Sequence, residues 1–283
     1  MEIRTVPART VSEKLLEIPK PPTTLWVRGT PAPEGTKYLA VVGSRALTPY
    51  GKEACKKLIA GLTGYPISIV SGLAIGADTV AHQAALKAGL HTIAVPGSGL
   101  GDEVIYPRSN RELAHDIVAS GGLLVSEHPP EYRPQAFDFP SRNRIMVGMS
   151  DAVLVIEAAE KSGSLITARL ASEYNRDLLC IPHRIGDPHG FAAELYLRLG
   201  AALVTKSDHI LEALGLVSSM VMQGVLPLLT ADEQRLYDAL AEPKERDALL
   251  RSADLDEVVG ASALIALELK GVVHEKFGLW RRV

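Results

Sequence analysis

The sequence predicts an α/β protein: a parallel sheet between layers of helices, followed by a small C-terminal unit of helices and a hairpin. Three observations carry that prediction. Short apolar runs recur between residues 38 and 204, ending at Gly43, Ser71, Pro96, Ser126, Glu157, Pro182 and Thr205. Between most of them, apolar residues recur at helical spacing. Near residue 216 the alternation stops, and helix-start signals take over.

The runs cover residues 38–42, 66–70, 92–95, 123–125, 152–156, 178–181 and 201–204. They are apolar at successive positions, as strands covered on both faces should be. Helical patterns fill 49–62, 77–88, 108–119, 164–174 and 192–199. This alternation implies right-handed crossovers, and ligands of such sheets bind beyond the carboxyl ends of the strands. Residues 1–37 carry Pro7, Pro19, Pro21, Pro22, Pro31 and Pro33 and read as an extended lead-in with one helical turn at 12–17. The sheet domain is expected over 38–215, a linker over 216–228 and a last domain over 229–283. There Thr230 and Glu233 have capping-box spacing. Further helices fit 245–251 and 256–270, Gly271 ends the third, and 272–282 reads as a hairpin turning at Gly278. Three helices and a hairpin make a winged helix-turn-helix.

Composition narrows the function classes. The chain has 283 residues, 47% hydrophobic and 22% charged, enough to bury a sizeable core and too apolar for disorder. Its longest apolar runs, such as 201–204, are far too short to span a membrane. The first ten residues hold no signal-peptide core, so a cytoplasmic protein is expected. Cys55 and Cys180 lie in apolar segments outside any paired metal motif and read as buried, reduced thiols. The histidines do not repeat at metal spacing, and neither metal nor cofactor is expected.

With 30 Lys+Arg against 33 Asp+Glu, the net charge is -3, which argues against a basic field over the whole molecule. The charge is unevenly spread. Residues 216–283 hold 8 basic against 11 acidic residues, and residues 1–215 hold 22 of each. Asp254, Asp256, Glu257 and Glu268 flank the third helix of the tail, where phosphate would be repelled. The tail is therefore expected to contact protein rather than duplex DNA, although Lys276, Arg281 and Arg282 leave a basic wing open.

Chemistry is expected in the loops after the strands. Gly43-Ser44-Arg45 offers backbone N–H groups, a hydroxyl and a planar guanidinium suited to phosphate. Leu47 and Pro49 stand where a dinucleotide fingerprint would have glycines, so ordinary NAD binding loses support. In 71–78, Gly72 and Gly76 flank a turn into a helix that carries Asp78 and His82. No nucleophile elbow precedes them, and Asp78 reads as a helix-start carboxylate holding backbone N–H groups rather than part of a Ser/His/Asp triad. Gly97-Ser98-Gly99 begins a loop that can lie against a ligand. Phe137 and Phe139 come just before Arg142, Asn143 and Arg144, the stacking-plus-cation pairing of single-strand binders. Ser162-Gly163-Ser164 and Thr167 open a helix with hydroxyls, an anion seat.

These segments, with Tyr106-Pro107, Asn110 and Phe139-Pro140, occur in the order and spacing of a known family, and the chain resembles DNA processing protein A (DprA, also called Smf) over nearly its whole length. The resemblance implies an extended Rossmann-like domain with a C-terminal winged helix, and a non-enzymatic protein. Such a protein binds single-stranded DNA, protects incoming strands, loads RecA recombinase during natural transformation and forms a homodimer. It also implies a DNA pocket built from Gly43, Ser44, Arg45, Gly72, Gly76, Phe139, Arg142, Asn143, Arg144, Ser162, Gly163, Ser164 and Thr167. The chain departs from the family pattern in three places. The sequence starts almost at the sheet domain where the family often carries a helical module, Gln135 and Ala136 are neutral where a basic residue is common, and His183 follows Pro182 in place of glycine. The alternative is a lysine-decarboxylase-like phosphoribohydrolase, although residues 96–102 lack that group's catalytic Glu in register. A winged-helix transcription regulator is a third reading.

Overall fold

The computed structural model describes residues 2–160, 162–216, 229–240, 242–270, 272–276 and 278–282. It divides into two compact units, Met1–Val217 and Ser218–Val283. The linker expected over 216–228 lies outside the described residues except for Leu216.

The first unit is built on strands β1 (Arg4–Pro7), β2 (Thr24–Gly29), β3 (Lys37–Val42), β4 (Ile67–Ser71), β5 (His91–Ala94), β6 (Leu123–Ser126), β7 (Ala152–Val155), β8 (Asp177–Cys180) and β9 (Ala202–Leu203). Among the described residues these form one sheet in the order β1-β2-β6-β5-β4-β3-β7-β8-β9. From β6 to β9 every pairing is parallel. The helices are α1 (Pro49–Ala60), α2 (Ala77–Lys87), α3 (Arg111–Ala119), α4 (Asp138–Met149), α5 (Gly163–Glu173), α6 (Phe191–Arg198) and α7 (Ser207–Ala213).

Alternate strand residues serve opposite layers. Leu39, Val41, Ile69 and Leu154 pack with Cys55, Ile59 and Ala81 of α1 and α2 and with Leu211 of α7. Ala40, Val42, Val70 and Val153 pack with Ile145 and Met149 of α4 and Ala168 of α5. Both layers are apolar and buried, and burial pushes the thiols of Cys55 and Cys180 up to about 12, so both stay protonated.

Two elements depart from the sequence expectation. The lead-in supplies β1 and β2, which extend the sheet by two antiparallel pairings, β2 with β6 and β1 with β2. Between them, Leu15 and Ile18 are buried against Gly148 of α4. The segment from Asp138 onward, read as a loop, is the twelve-residue helix α4, with Pro140 in its first turn where no N–H is needed.

The second unit holds α8 (Ala231–Ala239), α9 (Arg246–Ser252), α10 (Glu257–Leu269) and the antiparallel pair β10 (Val273–Lys276) and β11 (Leu279–Arg282). Thr230 and Glu233 close the capping box. Leu236, Leu249, Leu264, Leu267 and Trp280 form a core of its own.

Two stability predictions follow from this packing. Leu15→Ala should destabilise the chain by about 2–5 kcal/mol, read in urea unfolding, because Leu15 is core and not tail. His82 is fully buried beside Thr92, and burial pulls its imidazole from 6.5 down to about 3. As pH falls, the unfolded chain binds that proton first. This contribution to stability is therefore full above about pH 6.5 and declines toward pH 3, by up to about 1.4 kcal/mol per pH unit. His82→Gln should flatten that decline in unfolding titrations at about pH 7 and about pH 5.

Candidate nucleic-acid interface

The strand order creates an opening. From β3 the chain moves outward through β4, β5 and β6, then returns to β7 on the other side of β3. The loops after β3 and β7 diverge at this switch point, the place where open α/β sheets hold ligands. A cleft of about 750 Å³ lies there. Its walls are the β3 loop from Gly43 to Ala46, the start of α5, and one face of α4.

The α5 wall is a helix start shaped by local hydrogen bonds. Ser162 caps the helix by accepting from the Ser164 N–H at 3.2 Å. The Ser164 hydroxyl donates to the Gly43 carbonyl at 2.8 Å, which ties this turn to the β3 loop. The first N–H groups of α5, around Gly163, thus face the cleft beside Thr167. On the β3 loop, the Ser44 hydroxyl accepts from the Ala46 N–H. Arg45 is exposed, with its guanidinium 5.7 Å from the centre of the Phe139 ring.

Phe139 stands half-buried at the cleft edge, and the Tyr106 ring lies 5.4 Å away. Its position is set by Asp138, a residue sequence reasoning did not single out. The buried Asp138 carboxylate accepts from the Gln135 N–H at 2.7 Å and the Tyr132 hydroxyl at 3.0 Å. His128 lies 3.6 Å from the same group. The first turn of α4 is therefore pinned, while Phe137 projects into solvent.

Arg142 lines the cleft floor, but its charge is engaged within the fold. It is buried and donates to the carbonyls of Gly72 and Val95 and to the Asn143 side chain. Burial pulls the guanidinium down to about 10, against the field of Asp78. Asp78 accepts from the N–H groups of Gly72 and Ala74 at 3.0 and 3.2 Å, in the helix-start role its position predicts. Burial pushes its carboxyl up, opposed first by Arg142. Gly72 and Gly76 work beneath the cleft. A β-carbon at Gly72 would overlap the Arg142 guanidinium, and Gly76 has φ +84 and sits against the carbonyls of Ser44 and Arg45. Ser71 donates to Val41, and His82 bonds Thr92, so a triad is not assembled.

The structure therefore brings Gly43, Ser44, Arg45, Phe139, Arg142, Asn143, Ser162, Gly163, Ser164 and Thr167 to one cleft. It does not bring Arg144 there. That guanidinium pairs with Glu127 and donates to the Lys20 carbonyl. His183 is also elsewhere, bonded to the Ile156 carbonyl and packed on Gly190.

Further residues join the site without a sequence signal. Buried Glu157 accepts from the Thr48 N–H and hydroxyl, fastening the end of β7 to the start of α1. Arg108, Arg111 and Arg133 line an adjoining groove of about 580 Å³ that meets the cleft at Ala136 and Phe139. Among the described residues no group of three or more His, Cys, Asp or Glu could hold a metal ion.

Comparison with known proteins places this architecture. The family model for DNA recombination-mediator protein A matches residues 3–215. Protein Smf of Escherichia coli K12 is 44% identical over 193 residues, covering 68% of this chain and 51% of that protein. The DNA processing protein DprA of Streptococcus pneumoniae is 42% identical over 197 residues, covering 70% and 68%. The chain thus spans about half the length of the first relative and about two thirds of the second. The X-ray structure of DprA from Streptococcus pneumoniae superimposes with a TM-score of 0.66, covering 70% of this chain and 69% of that one at 42% identity. DNA processing protein A from Helicobacter pylori, whose structure addresses that protein's single-stranded DNA binding mode, superimposes with a TM-score of 0.65 at 28% identity, covering 76% and 96%. The family match runs through every strand of the large sheet and every wall of its cleft, and the chain belongs to the DNA recombination-mediator protein A family.

Proposed function

We propose that the cleft binds single-stranded DNA by stacking a base on Phe139 and seating phosphates on Arg45 and the first turn of α5. The observation that carries this reading is the Phe139 ring at the mouth of an N–H and hydroxyl seat, with the exposed guanidinium of Arg45 beside it. Single-strand binders without sequence preference combine these elements. The single-stranded DNA binding mode of the Helicobacter pylori relative supports the same assignment. The groove bearing Arg108, Arg111 and Arg133 offers the strand a continuation past Phe139, with basic side chains that offset the neutral Gln135 and Ala136.

In this reading the protein is not an enzyme. It is a homodimeric cytoplasmic factor that protects incoming single strands and delivers them to RecA recombinase during natural transformation. Among the described residues no helix is long and apolar enough to cross a membrane. The phosphoribohydrolase reading is not favoured. The carboxylate in the relevant loop, Asp102, is engaged by Arg28 and His115, which hold it well below the usual carboxylate range. The second unit is read as a winged helix that contacts protein. Arg282 is engaged at the Tyr237 carbonyl and ring, and the solvent side of α10 presents Val258 and Ile265.

Fluorescence-anisotropy titration with single- and double-stranded oligonucleotides tests the assignment. Phe139→Ala should weaken single-strand binding by about 1–3 kcal/mol. Arg45→Ala should weaken it and lower the slope of log affinity against log salt by about 0.7. Equal affinity for both nucleic acids, or unchanged binding by both variants, would sink the assignment. Release of ribose phosphate from a nucleoside monophosphate would favour the hydrolase instead. Arg142 acts here as a positioning residue. Arg142→Lys should cost about 2–5 kcal/mol in urea unfolding, because one ammonium cannot serve both the two carbonyls bonded by Nη1 and the Asn143 side chain bonded by Nε.

A further inference from the structure

We infer that the bound strand leaves the cleft past Arg45 and follows a second, basic groove between α1 and α2, where Lys52 and Lys56 hold successive backbone phosphates. This inference rests on the single-strand reading of the cleft. The groove has a volume of about 420 Å³, and Arg45 lines both it and the cleft. The two spaces therefore adjoin at Arg45 and Ala46. Lys52 and Lys56 lie four residues apart on α1 and line the same groove. Their stems leave the helix about 6 Å apart along its axis, on one face. That offset suits neighbouring phosphates of an extended strand.

The charges around the groove favour an anion. Among the described residues, lysine ion pairs fall at Lys14, Lys37, Lys206 and Lys270, not at Lys52 or Lys56. The α2 wall presents Thr79 and Gln83, and the one α2 carboxylate, Asp78, is buried. Glu53 is exposed on α1 but is not among the groove-lining residues. No aromatic side chain lines the groove, so it has no stacking platform for bases. What it offers is sequence-independent phosphate contact, the kind of binding whose affinity comes from counterion release. The first 215 residues carry no net charge, so the pull on the strand is local to these cations.

The test compares two oligothymidylates, one just filling the cleft and one several nucleotides longer. The variants are Lys52→Gln/Lys56→Gln, both on α1, and a control, Lys57→Gln/Lys87→Gln, which removes the same charge from α1 and α2 outside the groove. On the longer strand the groove variant should lower the salt slope by about 1.4, about 0.7 for each lost phosphate contact. Each single substitution should lower it by about half as much. On the short strand, and in the control, the slope should match wild type. Wild-type behaviour of the groove variant on the longer strand would overturn the inference. So would an equal loss on both strands, or an equal loss in the control. If wild-type protein binds neither oligonucleotide, the cleft reading falls and takes the groove with it; if wild type binds both and the groove variant keeps the wild-type slope on the longer strand, the groove alone falls.

Discussion

The buried guanidinium of Arg142 is the constraint on which the site depends. A cation taken out of water is stable only when its donors are matched. Here the matches are the carbonyls of Gly72 and Val95, at the ends of two neighbouring strands, with the Asn143 side chain and the nearby Asp78 carboxylate. Each partner restricts another part of the sequence. Position 72 has no room for a side chain, and Asp78 must hold the turn from β4 into α2. Because Arg142 sits one turn into α4, locking it also locks Phe139 at the cleft edge. Asp138 secures the same turn from the other end. A flat ring held from both sides would be a preorganised surface for the stacking proposed above, with little entropy to lose on docking.

This arrangement separates cations by role. Arg142 and Arg144 carry charge that the fold itself uses, one on carbonyls and one on Glu127. Arg45, Lys52 and Lys56 stand exposed around openings in the sheet edge. Net charge is blind to this difference. A unit with as many acidic as basic residues can still present a local row of exposed cations, here Arg45, Lys52 and Lys56.

The same distinction explains how much was legible in the sequence. The parallel strands were readable because burial on both faces writes continuous apolar runs, and the loop glycines because tight turns demand them. The role of Asp78 was readable because a carboxylate at a helix start has one dominant use. β1 and β2 were hidden. β1 is exposed at most positions, and β2 pairs with β6 roughly a hundred residues along the chain, so neither leaves a local pattern. α4 was hidden by Pro140 and by an apolar face divided between the cleft and the core. Arg142 and Arg144 are two residues apart in a basic stretch, and composition cannot tell a buried cation from a free one. Only the positions of the carbonyls around Arg142 and of Glu127 beside Arg144 decide it.

Charge and apolar surface are arranged differently in the second unit. On α10, Gly260, Ala263, Leu264 and Leu267 turn into the core or pack against α9. About 180° round the helix, Val258, Ser262 and Ile265 share a line at i, i+4 and i+7 that faces solvent. A helix that reads a duplex needs donors and cations on that outward line. This one has branched apolar side chains, bordered by Glu257 and Glu268. Arg282 cannot compensate, because its guanidinium is fixed on Tyr237. Desolvating Val258 and Ile265 is favourable against another apolar surface, whereas the flanking carboxylates oppose a phosphate backbone. In the proposed reading, therefore, nucleic acid would be held at the switch point of the large sheet, and the outward face of α10 would suit a protein partner.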